Sequence, residues 1–272
     1  LCKADLVTNM VIEMTALAGV MGRFYALRSG ESEPVAQAVF EHILPRSASD
    51  QAAASLPGLV IGLADRLDSL AGLFAAGLAP SGTKDPFAQR RSALGLVQSL
   101  MAWDMDFDLR AGLKAAADKL PIPASPEALA ACAEFITGRL QNALQEAGFR
   151  YDHVAAVLAV QAHNPAQALR SLKALQARSE AADWKTTLAA YARCVRITRD
   201  IKETHNITPA AFSEQAEKDL FAALNAAESG LKNPASLADF FAVFAPMIPA
   251  VNAFFEAVLV MADDPAQRAN RL

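Results

Sequence analysis

The chain has 272 residues, 53% of them hydrophobic and 20% charged, so it can bury a sizeable core and is not a disordered segment. A net charge of -4 excludes a globally basic nucleic-acid binder; any such contact must come from a local basic face. Cys2, Cys132 and Cys194 lie far apart and form no CxxC pair, which argues against a disulfide framework and fits a reducing compartment.

Alanine and leucine dominate, and β-branched runs are short and do not alternate, so the pattern predicts an all-α protein. A first helix is predicted over residues 3–18, with Leu6, Met10, Ile12, Met14 and Leu17 on a broad apolar side. Shorter helices follow over 20–27, ended by Ser29 and Gly30, and over 35–43, entered at Pro34 and ended before Pro45. A small polar loop, 46–57, leads to a helix over 58–72 carrying Leu59, Ile61, Leu63, Leu67 and Leu70. The loop 79–84 breaks it. Asp85 and Pro86 read as the cap and first residue of a helix running to Trp103.

Asp104, Asp106 and Asp108 mark a loop before a helix over 109–120. Pro121, Pro123 and Pro126 make the best linker in the chain, and Ser125 can cap a helix over 126–147 that Gly148 closes. The rest reads as short helices over 152–162, 165–177, 184–201, 209–228, 235–244 and 249–261, in the manner of an antiparallel bundle. No apolar run reaches the ~18 residues needed to span a bilayer. The most apolar stretch, 251–262, contains Asn252 and Glu256. No signal peptide is visible and the chain opens on a leucine, so a fragment of a longer protein is expected.

Three groups of residues are candidates for chemistry. Asp5, Glu41, His42, Asp65 and Asp68 are hard or borderline metal ligands, and Ala64-Asp65-Arg66-Leu67-Asp68 resembles the last metal-binding helix of HD-type phosphohydrolases. Those enzymes carry adjacent His and Asp ligands. Here the pair is Ala4-Asp5, so these positions read as a degenerate site or as polar groups of a helical scaffold. The loop Ser81-Gly82-Thr83-Lys84 before a helix could hold phosphate on free amides, helped by Lys84, Arg90 and Arg91. It is not a P-loop, and a plain cap with solvated cations is the competing reading.

The third group is Lys185, Arg193, Arg196, Arg199 and Lys202, with Tyr191 among them and Asp200 the one acid. Spacing by three keeps the arginines near one side of a helix, which suits either a surface tracking a nucleic-acid backbone or a solvated face. No GxSxG motif occurs and no cysteine has a nucleophile's context; His153, His163 and His205 read as surface or satisfied histidines.

The stretches KADLVT (3–8), GVMGRFYA (19–26), VAQA (35–38), EHILP (41–45), LADRLD (63–68) and GTKDPFAQRR (82–91) occur in one order. With FFEAVLVM (254–261), Asp263-Asp264 and RANRL (268–272), they resemble the beta subunit of bacterial heterotetrameric glycyl-tRNA synthetase across nearly the whole chain. The resemblance implies a C-terminal fragment made of an HD-like helical domain (1–120), connecting helices (121–182) and a DALR-type anticodon-binding helical bundle (183–272).

It implies membership of glycine–tRNA ligase, whose alpha subunit uses ATP and magnesium for ATP-dependent aminoacylation. This portion is then expected to bind tRNA without catalysis or a cofactor of its own. The implied partners are tRNA-Gly and the alpha subunit, in a heterotetramer of two alpha and two beta chains, in the cytoplasm and with no membrane. Contacts with tRNA are expected at Lys84, Arg90, Arg91, Lys185, Tyr191, Arg193, Arg196, Arg199 and Lys202. Asp5, His42, Asp65 and Asp68 are expected to be degenerate HD-like positions, with no catalytic or metal role. The alternatives are an HD-type metal-dependent phosphohydrolase using Asp5, His42 and Asp65, and a structural module that docks the alpha subunit.

Overall fold

Side-chain oxygens set several helix starts. Ser55, Asp108, Ser125, Ser236 and Asp264 each accept a hydrogen bond from a backbone N–H in the turn that follows, satisfying a donor that a helix leaves unpaired at its N-terminus. The computed structural model describes residues 2–203 and 205–272, and among these it contains helices and no strand. The chain divides into two compact units between Leu172 and Lys173.

The first unit holds α1 (Asn9–Glu13), α2 (Val20–Arg28), α3 (Glu33–Glu41), α4 (Leu56–Ala75), α5 (Gln89–Ala102), α6 (Leu109–Ala117), α7 (Pro126–Glu146), α8 (Tyr151–Gln161) and the start of α9 (Pro165–Ser179). On α4, Leu59, Leu63, Leu67, Leu70 and Phe74 recur every three or four residues and are all buried, which makes it the central helix. α3, α5, α6 and α7 pack around it. α7 contributes a buried ladder at every fourth position, Cys132, Ile136, Leu140 and Leu144, and its Phe135 ring lies 5.5 Å from that of Phe74. Trp103, at the end of α5, donates its indole N–H to the Ala53 carbonyl at 2.7 Å and ties down the loop before α4. Arg170 reaches both Asp104 and Asp106, which explains the alternating acids of that loop. The segment expected as a separate connector, 121–182, lies in the first unit as far as Leu172.

The second unit holds the rest of α9, then α10 (Trp184–Thr198), α11 (Gln215–Gly230), α12 (Leu237–Ala257) and α13 (Pro265–Arg271). α11 and α10 both pack on α12. Ala190, Phe244, Ile248 and Val251 form its core, with Leu220, Phe240 and Phe255 packed against them. Trp184 meets Phe241 edge-on at 6.1 Å.

Four helical expectations are corrected, one of them over 209–228, where a 3-10 turn (Pro209–Ala211) precedes a helix that begins only at Gln215. Residues 3–18 are not one helix: a 3-10 turn (Ala4–Val7), α1 and another 3-10 turn (Thr15–Leu17) replace it, and Val7, Met10, Ile12 and Met14 are exposed. α5 begins at Gln89, three residues after the expected first residue, Pro86. The helices expected over 235–244 and 249–261 are one helix, α12, which runs through Pro246 and Pro249. A helix-interior proline costs a hydrogen bond and a clash, but the buried face of α12 packs continuously on α10 and α11. The merged helix has 21 residues and is long and apolar enough to reach spanning length, which the two shorter predicted helices were not.

Candidate functional site

Asp5 is buried, and its carboxylate Oδ2 accepts from the backbone N–H groups of Gly19, at 2.7 Å, and Gly22, at 3.1 Å. It therefore serves the positive end of α2, which explains why the chain at 3–18 breaks its helix to carry this group inward. Gly19 has φ 74, a left-handed conformation that glycine adopts without strain.

His42 follows α3 and is also buried. Its Nδ1 lies 2.6 Å from the Val39 carbonyl, which can only accept, so Nδ1 carries the proton. Burial pushes the imidazole below its ordinary pKa, against the opposing pull of the Val39 carbonyl and Asp65, and Nε2 is left as a buried acceptor with no partner among the described residues. Asp65, on α4, is partly exposed and paired with Lys3 at 2.5 Å. Asp68, three residues on, faces solvent.

Arg66, between these aspartates, is buried and caps the end of α3. Nη1 donates to the carbonyls of His42 and Gly62, both at 3.0 Å, and Nη2 to those of Ile43, at 3.1 Å, and Leu44, at 2.8 Å. A Cβ added at Gly62 would lie 2.9 Å from Nη1, and one at Gly95 2.8 Å from Nε, so both glycines make room for the guanidinium.

Glu41 supports the same turn. Burial would raise its pKa, but hydrogen bonds from Gln37 and from the Ser55 hydroxyl and N–H outweigh burial and hold it below the ordinary carboxylate value. Such a group stabilises the fold above its unfolded-state value, near 4.5, and loses that contribution as pH falls through the lower folded-state value. Thermal unfolding of the native chain should therefore move down more steeply below pH 4.5 than that of Glu41→Gln, whose amide does not titrate. Parallel curves of melting temperature against pH would show that Glu41 is not a source of acid sensitivity.

Lys3, His42, Asp65, Phe87, Gln89 and Arg91 are among the residues lining one cavity of about 600 Å³ in the first unit. These side chains do not fit a divalent metal. Asp5 gives Oδ2 to backbone amides, though its buried Oδ1 has no partner among the described residues; the Lys3 ammonium occupies the cation position at Asp65, and among the described residues no three His, Cys, Asp or Glu side chains gather as a ligand set. The metal-dependent phosphohydrolase alternative through Asp5, His42 and Asp65 would need a ligand set that these side chains do not form in this arrangement.

The loop at 81–88 also differs from expectation. Ser81 and Lys84 exchange backbone hydrogen bonds in a tight turn, and the Asp85 carboxylate accepts from the N–H groups of Gln89, at 2.8 Å, and Arg90, at 2.9 Å. Asp85 thus caps α5 from a distance and occupies amides that a phosphate would need. Arg90 turns back to the Gly82 carbonyl, whereas Lys84 and Arg91 are exposed.

In the second unit Tyr191 packs edge-on against Phe240, at 5.9 Å, and Phe244, at 6.1 Å, so its ring is partly taken up by the core. Arg193 lies over the Phe255 ring at 5.3 Å. Lys185, Arg196, Arg199 and Lys202 are exposed, the last two beyond the end of α10, and none forms an ion pair among the described residues. Elsewhere arginines are paired: Arg23 with Glu33, Arg46 with Asp50, Arg110 with Asp108, Arg150 with Asp152 and Arg178 with Asp183. The sequence reading missed the buried pair between Glu217 and Arg271, 54 residues apart and 2.6 Å in space. His153, read from the sequence as surface or satisfied, is instead buried with Nδ1 unpartnered among the described residues. Cys132 is buried and its thiol is pushed up to about 12, unsuited to nucleophilic work.

The family model for the glycyl-tRNA synthetase beta subunit matches residues 1–159. Over its whole length the chain is similar to the glycine–tRNA ligase beta subunits of Moorella thermoacetica, at 39% identity and 40% of that protein's length, and Delftia acidovorans, at 38% and 39%. It is likewise similar to glycine–tRNA ligase, chloroplastic/mitochondrial 2, of Arabidopsis thaliana, at 35% identity over 26% of that protein. The chain therefore spans about 40% or less of these relatives.

Proposed function

Because the chain belongs to the glycyl-tRNA synthetase beta subunit family, we propose that it is the tRNA-binding, non-catalytic portion of a glycine–tRNA ligase. Its partners on this reading are tRNA-Gly and an alpha subunit that carries out ATP-dependent aminoacylation with ATP and magnesium, in an assembly of two alpha and two beta chains in the cytoplasm. On this reading residues 1–120 form an HD-like domain without metal chemistry, 121–182 connect, and 183–272 form a DALR-type anticodon-binding bundle.

The observation that carries this reading is the exposed cation set on and beyond α10. Lys185, Arg196, Arg199 and Lys202 lack ion-pair partners among the described residues, in a chain that pairs many of its other arginines. A surface that leaves cations unpaired suits a polyanion, whose affinity then comes from phosphate contacts and released counterions. Arg193 and Tyr191 contribute more to holding α10 on α12, through Phe255, Phe240 and Phe244.

Replacing Arg196, Arg199 and Lys202 together by alanine should weaken tRNA-Gly binding at least about tenfold at low salt and reduce the slope of log affinity against log salt by about 2. Fluorescence anisotropy across a salt series, with and without the alpha subunit, measures both. An unchanged slope removes these residues from the interface. Tight binding to the alpha subunit with no salt-sensitive tRNA binding would instead favour the docking role, for which the exposed Val7, Met10, Ile12 and Met14 are the supporting observation.

A further inference from the structure

We propose that Asn270, on α13, is a positioning residue for the RNA surface: it clasps the segment that follows α10 and so holds the cations Arg199 and Lys202 in place before RNA arrives. This rests on the reading of those cations as a tRNA surface and goes beyond it, since Asn270 carries no charge and acts through its hold on the chain. The segment runs from Arg199 to Glu214, between the end of α10 at Thr198 and the start of α11 at Gln215. A connection of that length is long for a compact unit to leave irregular. Apart from the 3-10 turn Pro209–Ala211 it has no helix, and among the described residues the N–H groups of 202, 203 and 205–207 donate to no backbone carbonyl. Apolar packing does not make up for this. Ile201, Ile207 and Phe212 line a cavity of about 460 Å³ together with Leu220 and Leu224 of α11, so the segment bridges open space instead of resting on a filled core. Ile207 is still 47% exposed.

What fixes the segment is α13. Asn270 Oδ1 accepts from the Thr208 N–H at 2.6 Å, and its Nδ2 donates to the Thr208 carbonyl at 3.3 Å. One planar amide thus occupies both backbone groups of one residue, as a neighbouring strand would. Further along, the Ser213 hydroxyl accepts from Gln267, at 3.4 Å, and from Arg271, at 3.2 Å. α13 is a firm base for these contacts, because Arg271 is paired with the buried Glu217 of α11. Lys202 therefore lies on a span fixed at Thr198 on one side and at Thr208 on the other. Without the clasp it would lie on the whole connection from Thr198 to Gln215. A cation on a loose span has to be ordered when a phosphate binds, and the freedom lost then is subtracted from the affinity. Lys202 is exposed and makes no ion pair among the described residues, so holding its span leaves the ammonium available. An aspartate at 270 would keep the bond from the Thr208 N–H but set its second oxygen against the Thr208 carbonyl, giving half a clasp.

The test sets Asn270→Ala against the cations it holds, by anisotropy with tRNA-Gly across a salt series. Asn270→Ala should weaken binding roughly three- to tenfold at low salt and lower the slope of log affinity against log salt by about 1, the share of one phosphate contact. In an Arg199→Ala/Lys202→Ala background the same change should alter neither quantity. In a Lys185→Ala background, at the other end of α10, its effect should be undiminished. Limited trypsin digestion gives a readout without RNA: cleavage after Lys202 should quicken in Asn270→Ala. Asn270→Asp should fall between native and Asn270→Ala in both assays, and it carries the test if the alanine variant does not fold. An equal loss of affinity with and without Arg199 and Lys202 would make Asn270 a merely structural residue and overturn the proposal. So would an unchanged salt slope or unchanged cleavage. If Arg199→Ala/Lys202→Ala binds tRNA as the native chain does, the tRNA surface fails and the proposal with it. If that variant loses binding while Asn270→Ala does not, the proposal fails alone.

Discussion

Arg66→Met should lower the melting temperature of the first unit by roughly 10 °C, the largest effect expected of any single substitution there. The methionine fills much of the volume, so the loss is polar. The carbonyls of His42, Ile43 and Leu44 close the C-terminal end of α3 and depend on this guanidinium. Each buried acceptor left without a donor costs about 1–3 kcal/mol, and together they reach at least about 3 kcal/mol after the relief of desolvating the cation. The charge also sits at the negative end of a helix, which favours it. Lysine at 66 should recover little, because a single ammonium cannot span carbonyls arranged for a planar fork. Calorimetry on Arg66→Met, Arg66→Lys and the surface control Arg110→Met decides the matter. A fall of less than about 2 °C for Arg66→Met would show that water reaches these carbonyls.

Breaking the pair between Glu217 and Arg271 should cost the second unit about 3–5 kcal/mol, the range for leaving one member of a buried pair alone. Glu217 is the densest polar junction there. It accepts from the N–H groups of Ser213 and Glu214 and from Arg271 Nε, while Arg271 also donates to the Leu259 carbonyl at 3.0 Å. Arg271→Ala therefore leaves a buried carboxylate and frees α13 from α11. Glu217→Gln keeps the shape but weakens both the helix start and the pair. A double-mutant cycle by urea unfolding should give a coupling of about 1–3 kcal/mol. Additive effects would reduce the pair to two independent anchors.

Local rules read much of the fold correctly. Ser125, with apolar residues at every fourth position after it, gives the start and core face of α7 without any tertiary knowledge, and Leu59 to Phe74 do the same for α4. The errors fall where a distant group decides. Nothing near residues 3–18 shows that Asp5 is claimed by amides 14 and 17 residues away. Pro249 argues locally for a break, and only the packing on α10 and α11 carries α12 through it. At the candidate sites, the α10 cations were legible because they are close in sequence. The cavity was not, since Lys3, His42, Asp65 and the pair Gln89 and Arg91 converge from four separate stretches, and the pairing of Lys3 with Asp65 has no signature in the motif around either.

The two tryptophans are distributed one to each unit, Trp103 hydrogen-bonded to Ala53 and Trp184 edge-on to Phe241. Each unit thus carries its own native fluorophore in a distinct setting, one with its indole N–H anchored and one against a phenyl edge. Emission from Trp103→Phe and Trp184→Phe variants separates the two optically, so unfolding of either unit, or ligand arrival at either, can be followed without an added label.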